Sequence, residues 1–248
     1  MNRWSFATMG TIVSVAVPGQ EPRPAVRAAV EEVFHSFDAE FSLYLPDSPI
    51  SRVARGELAL GDAGDRMLDT YAAALEWRTR TGGDFTPHRP DGVIDLSGIV
   101  KALAIEAAGE RLTDSGIRAW SLGCGGDVLA AGDAAPGEPW TIGIADPDSR
   151  AELLTAVRLT GGRRAVATSG TAERGEHVWR TDDRSTLRQV SVVADDIVTA
   201  DVLATAILAG GTDALDRLTR DHDVDALACS ADGMVATPGM RVLIGAPA

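Results

Sequence analysis

Apolar positions along this chain switch between two spacings, and the switches divide it into elements. Residues 3–17 alternate and end at Pro18-Gly19, which predicts a strand running into a turn. Over 22–41 the apolar residues Val26, Val30, Val33, Phe34 and Phe37 recur at helical spacing, and a polar, proline-bearing loop follows at 42–48. A second helix is predicted over 64–80, from Met67, Leu68, Tyr71, Ala74, Leu75 and Trp77, with Gly82-Gly83 as its exit. Loop 84–92 leads into an apolar 93–96 that reads as a strand end, then a third helix covers 97–112. Strands are predicted at 119–122, 128–131, 140–145 and 189–193, and a hairpin pairs 153–159 with 164–167 around Gly161-Gly162. Helices at 199–208 and 212–220 precede short strands at 226–229, 234–236 and 241–244. No repeat, low-complexity tract or linker interrupts the series. The expected fold is therefore a single α+β domain over 1–248, with mixed β-sheets flanked by helices.

Composition narrows the function classes. The 248 residues carry 36 acidic and 23 basic side chains, a net charge of −13. That balance repels phosphate backbones, and the arginines are scattered without forming a basic patch, so no nucleic-acid partner is expected. No uninterrupted apolar run reaches the length of a membrane span, so no membrane insertion is expected. Cys124 and Cys229 are too few and too far apart for a disulfide framework, and are expected to be reduced. The apolar run 11–17 lacks a small-x-small cleavage site and reads as a strand rather than an export signal, which gives a cytoplasmic expectation. One count stands out: 22 of the basic residues are arginine and a single one, Lys101, is lysine. A lone lysine in such a background hints at a position that needs a compact point charge.

Four constellations carry possible chemistry. In Asp95-Leu96-Ser97-Gly98-Ile99-Val100-Lys101 a helix N-terminus meets a full positive charge, a combination that favours phosphate; a helix cap beside a surface lysine would read the same way. Asp201 and Thr205 lie four apart on a helix and so share a face, where their oxygens suit Mg²⁺; Asp201 could equally complement the helix dipole. Gly123-Cys124-Gly125-Gly126-Asp127 is a glycine-rich turn between strands, with no helix after it to make a nucleotide loop. Thr168-Ser169-Gly170 follows a buried strand, with His177 beyond.

In this order the motifs resemble the ApbE family, the FAD:protein FMN transferases. Met9-Gly10-Thr11 resembles its opening signature. Phe41-Ser42-Leu43-Tyr44 with Asp47-Ser48, and Gly83-Asp84-Phe85-Thr86-Pro87, are similar to its next two segments. Asp95 to Lys101, Gly125-Gly126-Asp127, Thr168-Ser169-Gly170 and Ala200-Asp201-x-x-Ala204-Thr205 follow in register. The resemblance spans about residues 5–210.

It implies a T-fold-related architecture with a central FAD cleft, and a Mg²⁺-dependent reaction. FAD is the substrate; its FMN half passes to a threonine hydroxyl of an acceptor flavoprotein and AMP leaves. By resemblance Asp201 and Thr205 supply metal oxygens through their side chains and Gly98 through its backbone. Asp95 and Lys101 hold FAD, while Met9, Tyr44, Asp84, Phe85 and Thr86 line its pocket. His177 is the expected general base and Asp201 the second catalytic residue. The chain departs from the family pattern at Thr86, at Ala102, and after His177, where Val178-Trp179-Arg180-Thr181-Asp182-Asp183 stands in place of "x-x-D-P-x-T-G". A Mg²⁺-dependent FAD pyrophosphatase and a non-catalytic flavin-binding protein are the alternatives.

Overall fold

The alternation over 3–17 folds into two strands instead of one. In the computed structural model, which describes residues 1–149, 151–170 and 187–245, β1 (Asn2–Thr8) and β2 (Thr11–Val17) form an antiparallel hairpin that pairs Thr8 with Thr11. The two residues between them, Met9 and Gly10, have φ of 50° and 68°. A two-residue hairpin turn of this hand requires positive φ at both positions, which glycine accepts readily and Met9 does not.

The predicted helices form with small shifts at their ends: α1 (Pro24–Phe41), α3 (Asp65–Arg80) and α4 (Ser97–Asp114). Between the first two lies α2 (Pro49–Ala54), which the apolar pattern misses because it is only six residues long. Its local signal is Ser48-Pro49: the Ser48 hydroxyl accepts the Ser51 N–H, and proline stands at the first helical position. Strands β3 (Trp120–Cys124), β4 (Asp127–Ala131), β7 (Ala165–Gly170), β8 (Leu187–Ala194), β9 (Asp225–Ser230) and β10 (Gly233–Ala236) join β1 and β2 in one eight-stranded sheet. Its order is β1-β2-β3-β4-β7-β8-β9-β10. β5 (Thr141–Ala145) and β6 (Leu153–Arg158) form a separate two-stranded sheet. The expectation of mixed sheets is narrowed, since every pairing among the described residues is antiparallel.

Three further elements differ from the sequence expectation. The run 164–167 does not return on 153–159: β6 pairs with β5, whereas β7 pairs with β4 and β8. Residues 93–96 form only a single bridge, Ile94 to His88, so Asp95 does not end a strand. And 241–244 belongs to a helix, α6 (Pro238–Ile244), started by Thr237, whose hydroxyl accepts the Met240 N–H. A four-residue apolar run fits either period, and the Thr-Pro start decides it.

Helices α1, α4 and α5 (Ile197–Asp221) bury their apolar faces with one face of the large sheet, around Phe34, Ile105, Trp120, Leu122 and Leu203. The other face is covered over part of its width by β5, β6 and α6, through Trp140, Ile144, Val157 and Met240. α5 is long and apolar enough to resemble a membrane span, but 72% of its most apolar window is buried inside the protein, as in a core helix. Gly211 (φ 72°, ψ −155°) breaks it near the predicted division between 208 and 212.

Candidate functional site

Three elements converge where α4 and α5 cross the sheet, and each contributes a charged side chain. Lys101 stands on the second turn of α4. Asp127 is the first residue of β4, immediately after a turn in which Gly125 (φ 57°) and Gly126 (φ 91°) take the left-handed conformations that glycine alone holds without strain. Asp201 lies on the buried face of α5. The Lys101 ammonium is 2.5 Å from Asp127 Oδ2 and 3.8 Å from Asp201 Oδ1. These side chains are nearly removed from solvent, at 13%, 0% and 4% exposure for Lys101, Asp127 and Asp201. Among the described residues, two carboxylates and one ammonium thus meet in a low-dielectric region, where charge interactions are strong.

Hydroxyl groups complete the cluster. The Thr168 N–H on β7 donates to Asp127 Oδ1 at 3.0 Å. Ser169, next along β7, hydrogen-bonds to Thr205 across 3.0 Å, and the Thr168 and Ser191 hydroxyls are 2.8 Å apart. Asp201 and Thr205 thus share one face of α5, as their spacing predicts, and Lys101 lies beside them.

Among the described residues no three His, Cys, Asp or Glu side chains group into a cation cage. The chemistry of the donors nevertheless fits Mg²⁺, because the Asp201 carboxylate and the Thr205 and Ser169 hydroxyls are all oxygen. Mg²⁺ commonly takes one or two carboxylates and fills the rest of its octahedron with water and substrate phosphate.

The loop ahead of α4 is held by its own contacts. Phe85 is buried; its N–H donates to Thr81 Oγ1 at 3.1 Å, and its ring lies against the first turn of α4. A Cβ on Gly98 would sit 2.9 Å from Phe85 Cε2, so a bare backbone at 98 is what admits the ring. Asp84 pairs with Arg217 on the second half of α5, and Arg217 also donates to the Thr81 carbonyl at 3.0 Å. Thr86 Oγ1 accepts the His88 N–H at 3.2 Å, and His88 Nε2 meets the Tyr71 hydroxyl at 2.9 Å. Asp95 Oδ1 accepts the Ser97 N–H at 2.9 Å, which closes the start of α4. The Met9 N–H donates to Asp38 at 3.3 Å, and Tyr44 is 82% exposed.

The predicted site residues therefore divide. Lys101, Asp201 and Thr205 come together, and Gly98 sits one turn before Lys101, in contact with Phe85. Asp84 faces Arg217, while Met9, Thr86 and Asp95 are fixed by their own loops. Asp84 to Asp95 is a turn-rich strap rather than a strand entry. His177 lies outside the described residues. Among the described residues, the carboxylate nearest the Lys101 ammonium is Asp127. Asp127 and Arg217 are the residues that motif reading left without a role. A lone buried lysine needs a carboxylate, and the Gly-Gly-Asp turn supplies one. Arg217 carries no local signal, because Asp84 is 133 residues away.

A second region has the opposite character. A cleft of about 380 Å³ is lined by Glu106, Glu110, Asp114, Asp195 and Asp196 against Arg164, a charge balance that repels a pyrophosphate. Burial, then the charges of Asp196 and Glu110, push the Glu106 carboxyl above the usual glutamate range. The folded state therefore holds this proton more tightly than the unfolded chain, and stability falls as pH rises from the ordinary glutamate value through the raised one. Glu106→Gln is expected to stabilise the fold at pH 7 by less than about 1 kcal/mol, because the group is only partly buried, and so to raise the melting temperature. The gain vanishes below the ordinary glutamate range, which melting curves at pH 7 and pH 3 would check.

A model of the ApbE family matches residues 9–89 and 87–228, and so spans the strap, α4, β4, β7 and α5. The chain belongs to the ApbE family. Over 203 residues it is 33% identical to the FAD:protein FMN transferase of Rhodobacter capsulatus, which covers 77% of this chain and 38% of that protein. The protein of the same name from Haemophilus influenzae is 26% identical over 136 residues, 50% of this chain and 39% of that one. The chain thus matches about two fifths of the length of these curated relatives. Solved ApbE structures share its fold. The flavin transferase ApbE of Vibrio cholerae superposes with a TM-score of 0.79 at 19% identity, covering 98% of both chains. The apo flavinyl transferase ApbE of Pseudomonas stutzeri gives 0.80 at 19% identity, covering 98% of this chain and 97% of that one. The ApbE protein of Thermotoga maritima gives 0.79 at 20% identity, covering 99% of both.

Proposed function

We propose that this chain transfers the FMN half of FAD to a threonine hydroxyl of an acceptor flavoprotein, with release of AMP. The observation that carries this reading is the buried Lys101–Asp127–Asp201 cluster with the Thr205 and Ser169 hydroxyls beside it, in an ApbE-family chain whose curated relatives are named FAD:protein FMN transferases.

The threonine oxygen forms a bond to the FMN phosphorus while the bridging P–O bond to AMP breaks, and the hydroxyl proton passes to a base, the role assigned to His177. Asp201, Thr205 and the Gly98 carbonyl would hold Mg²⁺, which when bound offsets charge on the pyrophosphate and on the departing AMP. Lys101, whose ammonium lies between Asp127 and Asp201, would offset carboxylate charge beside the phosphates, and the N-terminus of α4 contributes in the same sense. Asp95 orders that first turn. Asp84, Phe85 and Thr86, with Met9, would line the flavin pocket. Tyr44 offers an exposed ring against which a planar group can stack.

Intact-mass analysis of a family-type acceptor domain mixed with the protein, FAD and Mg²⁺ tests the reading. The acceptor is expected to gain one FMN less water, and to gain nothing when EDTA is present. Free FMN and AMP with an unmodified acceptor would instead identify a pyrophosphatase. Neither product would leave flavin binding alone.

A further inference from the structure

Arg217 reaches the entry to the strap from the second half of α5, and its guanidinium holds two points there. It donates to the Thr81 carbonyl at 3.0 Å and pairs with Asp84. The planar fork of arginine serves separate acceptors in a fixed geometry that the point charge of lysine does not impose. Thr81 directly follows the last residue of α3, so a positive charge at its carbonyl also complements the C-terminal end of that helix.

The backbone is shaped for this approach. Gly82, at φ 67°, holds a conformation that side chains rarely adopt. A Cβ there would lie 3.5 Å from Arg217 Nη1 and 3.7 Å from Cζ, so the guanidinium rests against the turn itself. Gly210 is likewise bare where α5 passes Asp84.

From this anchor the contacts run on to α4. Thr81 is fully buried; its hydroxyl donates to the Trp77 carbonyl at 2.8 Å and accepts the Phe85 N–H at 3.1 Å. Phe85 in turn lies against Gly98 in the first turn of α4, where an added Cβ would meet its ring. Arg217 itself stands beyond the break at Gly211, on the other half of α5 from Asp201 and Thr205.

We propose that Arg217 is a positioning residue: through Thr81 and Phe85 it sets the first turn of α4 where that turn receives the FAD pyrophosphate. The inference rests on the FMN-transfer reading given above. The pair with Asp84 is partly open to water, so it adds little to stability. Its effect is on geometry, and bound FAD presses a loosened turn back into place. Losing Arg217 therefore weakens affinity for FAD and leaves the step that follows unchanged.

The test compares FAD dissociation constants, from quenching of flavin fluorescence, with KM and kcat for acceptor modification. Arg217→Gln is expected to raise the dissociation constant and KM for FAD by roughly 10-fold, the lower end of the range for losing a group that orients a ligand. Turnover at saturating FAD is expected to stay at the wild-type value. Phe85→Leu removes the ring that carries the effect, so Arg217→Gln/Phe85→Leu is expected to bind FAD no more weakly than Phe85→Leu alone.

A merely structural role would lower turnover and the fraction of protein that binds, with KM for FAD unmoved, and that result would overturn the proposal. So would an undiminished effect of Arg217→Gln in the Phe85→Leu background, which would place its action elsewhere. Equal FAD affinity in wild type and Arg217→Gln overturns the proposal and leaves the flavin reading intact. Absence of FAD binding by wild type removes both. Should Arg217→Gln fail to fold, Arg217→Lys keeps a donor at this position and carries the same test. A raised KM for FAD at unchanged kcat then supports the proposal, and an unmoved KM sinks it.

Discussion

Under the proposed metal role, Asp201→Ala is expected to lower FMN transfer by roughly 10³-fold or more, because a cation held there would supply several kcal/mol of transition-state charge stabilisation. Asp201 is buried on the sheet-facing side of α5, so alanine removes a carboxylate without exposing a cavity to water, and helix propensity favours the change. The melting temperature is therefore expected to hold or rise while turnover collapses. Initial rates of acceptor modification across a Mg²⁺ titration separate the two readings. A loss that high Mg²⁺ restores would mean weakened metal affinity, whereas a loss at every concentration would mean that the carboxylate is needed after binding. Full activity at ordinary Mg²⁺ would take Asp201 out of the site.

Lys101→Met acts first on stability. It removes the ammonium that faces the fully buried Asp127 carboxylate, and breaking a buried ion pair from one side costs about 3–5 kcal/mol. A penalty of that size lowers the midpoint of denaturant unfolding visibly in a chain of this length. Lys101→Met/Asp127→Asn removes both charges of the pair and is expected to recover most of the loss. Equal instability of the single and double variants would mean that the lysine contributes through its methylenes. Unfolding curves for the wild type and both variants decide this.

The sequence was legible where one period runs long enough to be unambiguous. Helices α1, α3 and α4 form within a few residues of their predicted ends because their apolar stripes are regular, with a proline start at Pro24 and a glycine exit at Gly82-Gly83 as local marks. It failed where two segments share a period. The hairpin of β1 and β2 reads as one strand because both alternate. Yet Trp4 and Phe6 face inward at even positions and Val13, Val15 and Val17 at odd ones, and that change of phase across Met9-Gly10 is the trace of the turn.

Pairing partners were less legible than strands. β6 and β7 both read correctly as strands, but their neighbours are set by sheet-on-sheet burial, which no local signal records. The site shows the same division. Asp201 and Thr205 were found by helical spacing, and Lys101 by its rarity. Asp127 and Arg217 act on partners that only the tertiary fold brings near.

The break at Gly211 separates two jobs that a single straight helix would couple. Asp201 and Thr205 lie in the first half of α5, with Arg217 and its grip on Asp84 in the second. Gly210, where a Cβ would meet Asp84 at 2.5 Å, is nine residues and about 13 Å of helix from Asp201. An interrupted hydrogen-bond ladder lets the two halves open as separate cooperative units. Amide exchange in the second half can therefore run faster than in the first, and the strap over α4 can loosen at Arg217 while the half that carries Asp201 and Thr205 stays closed.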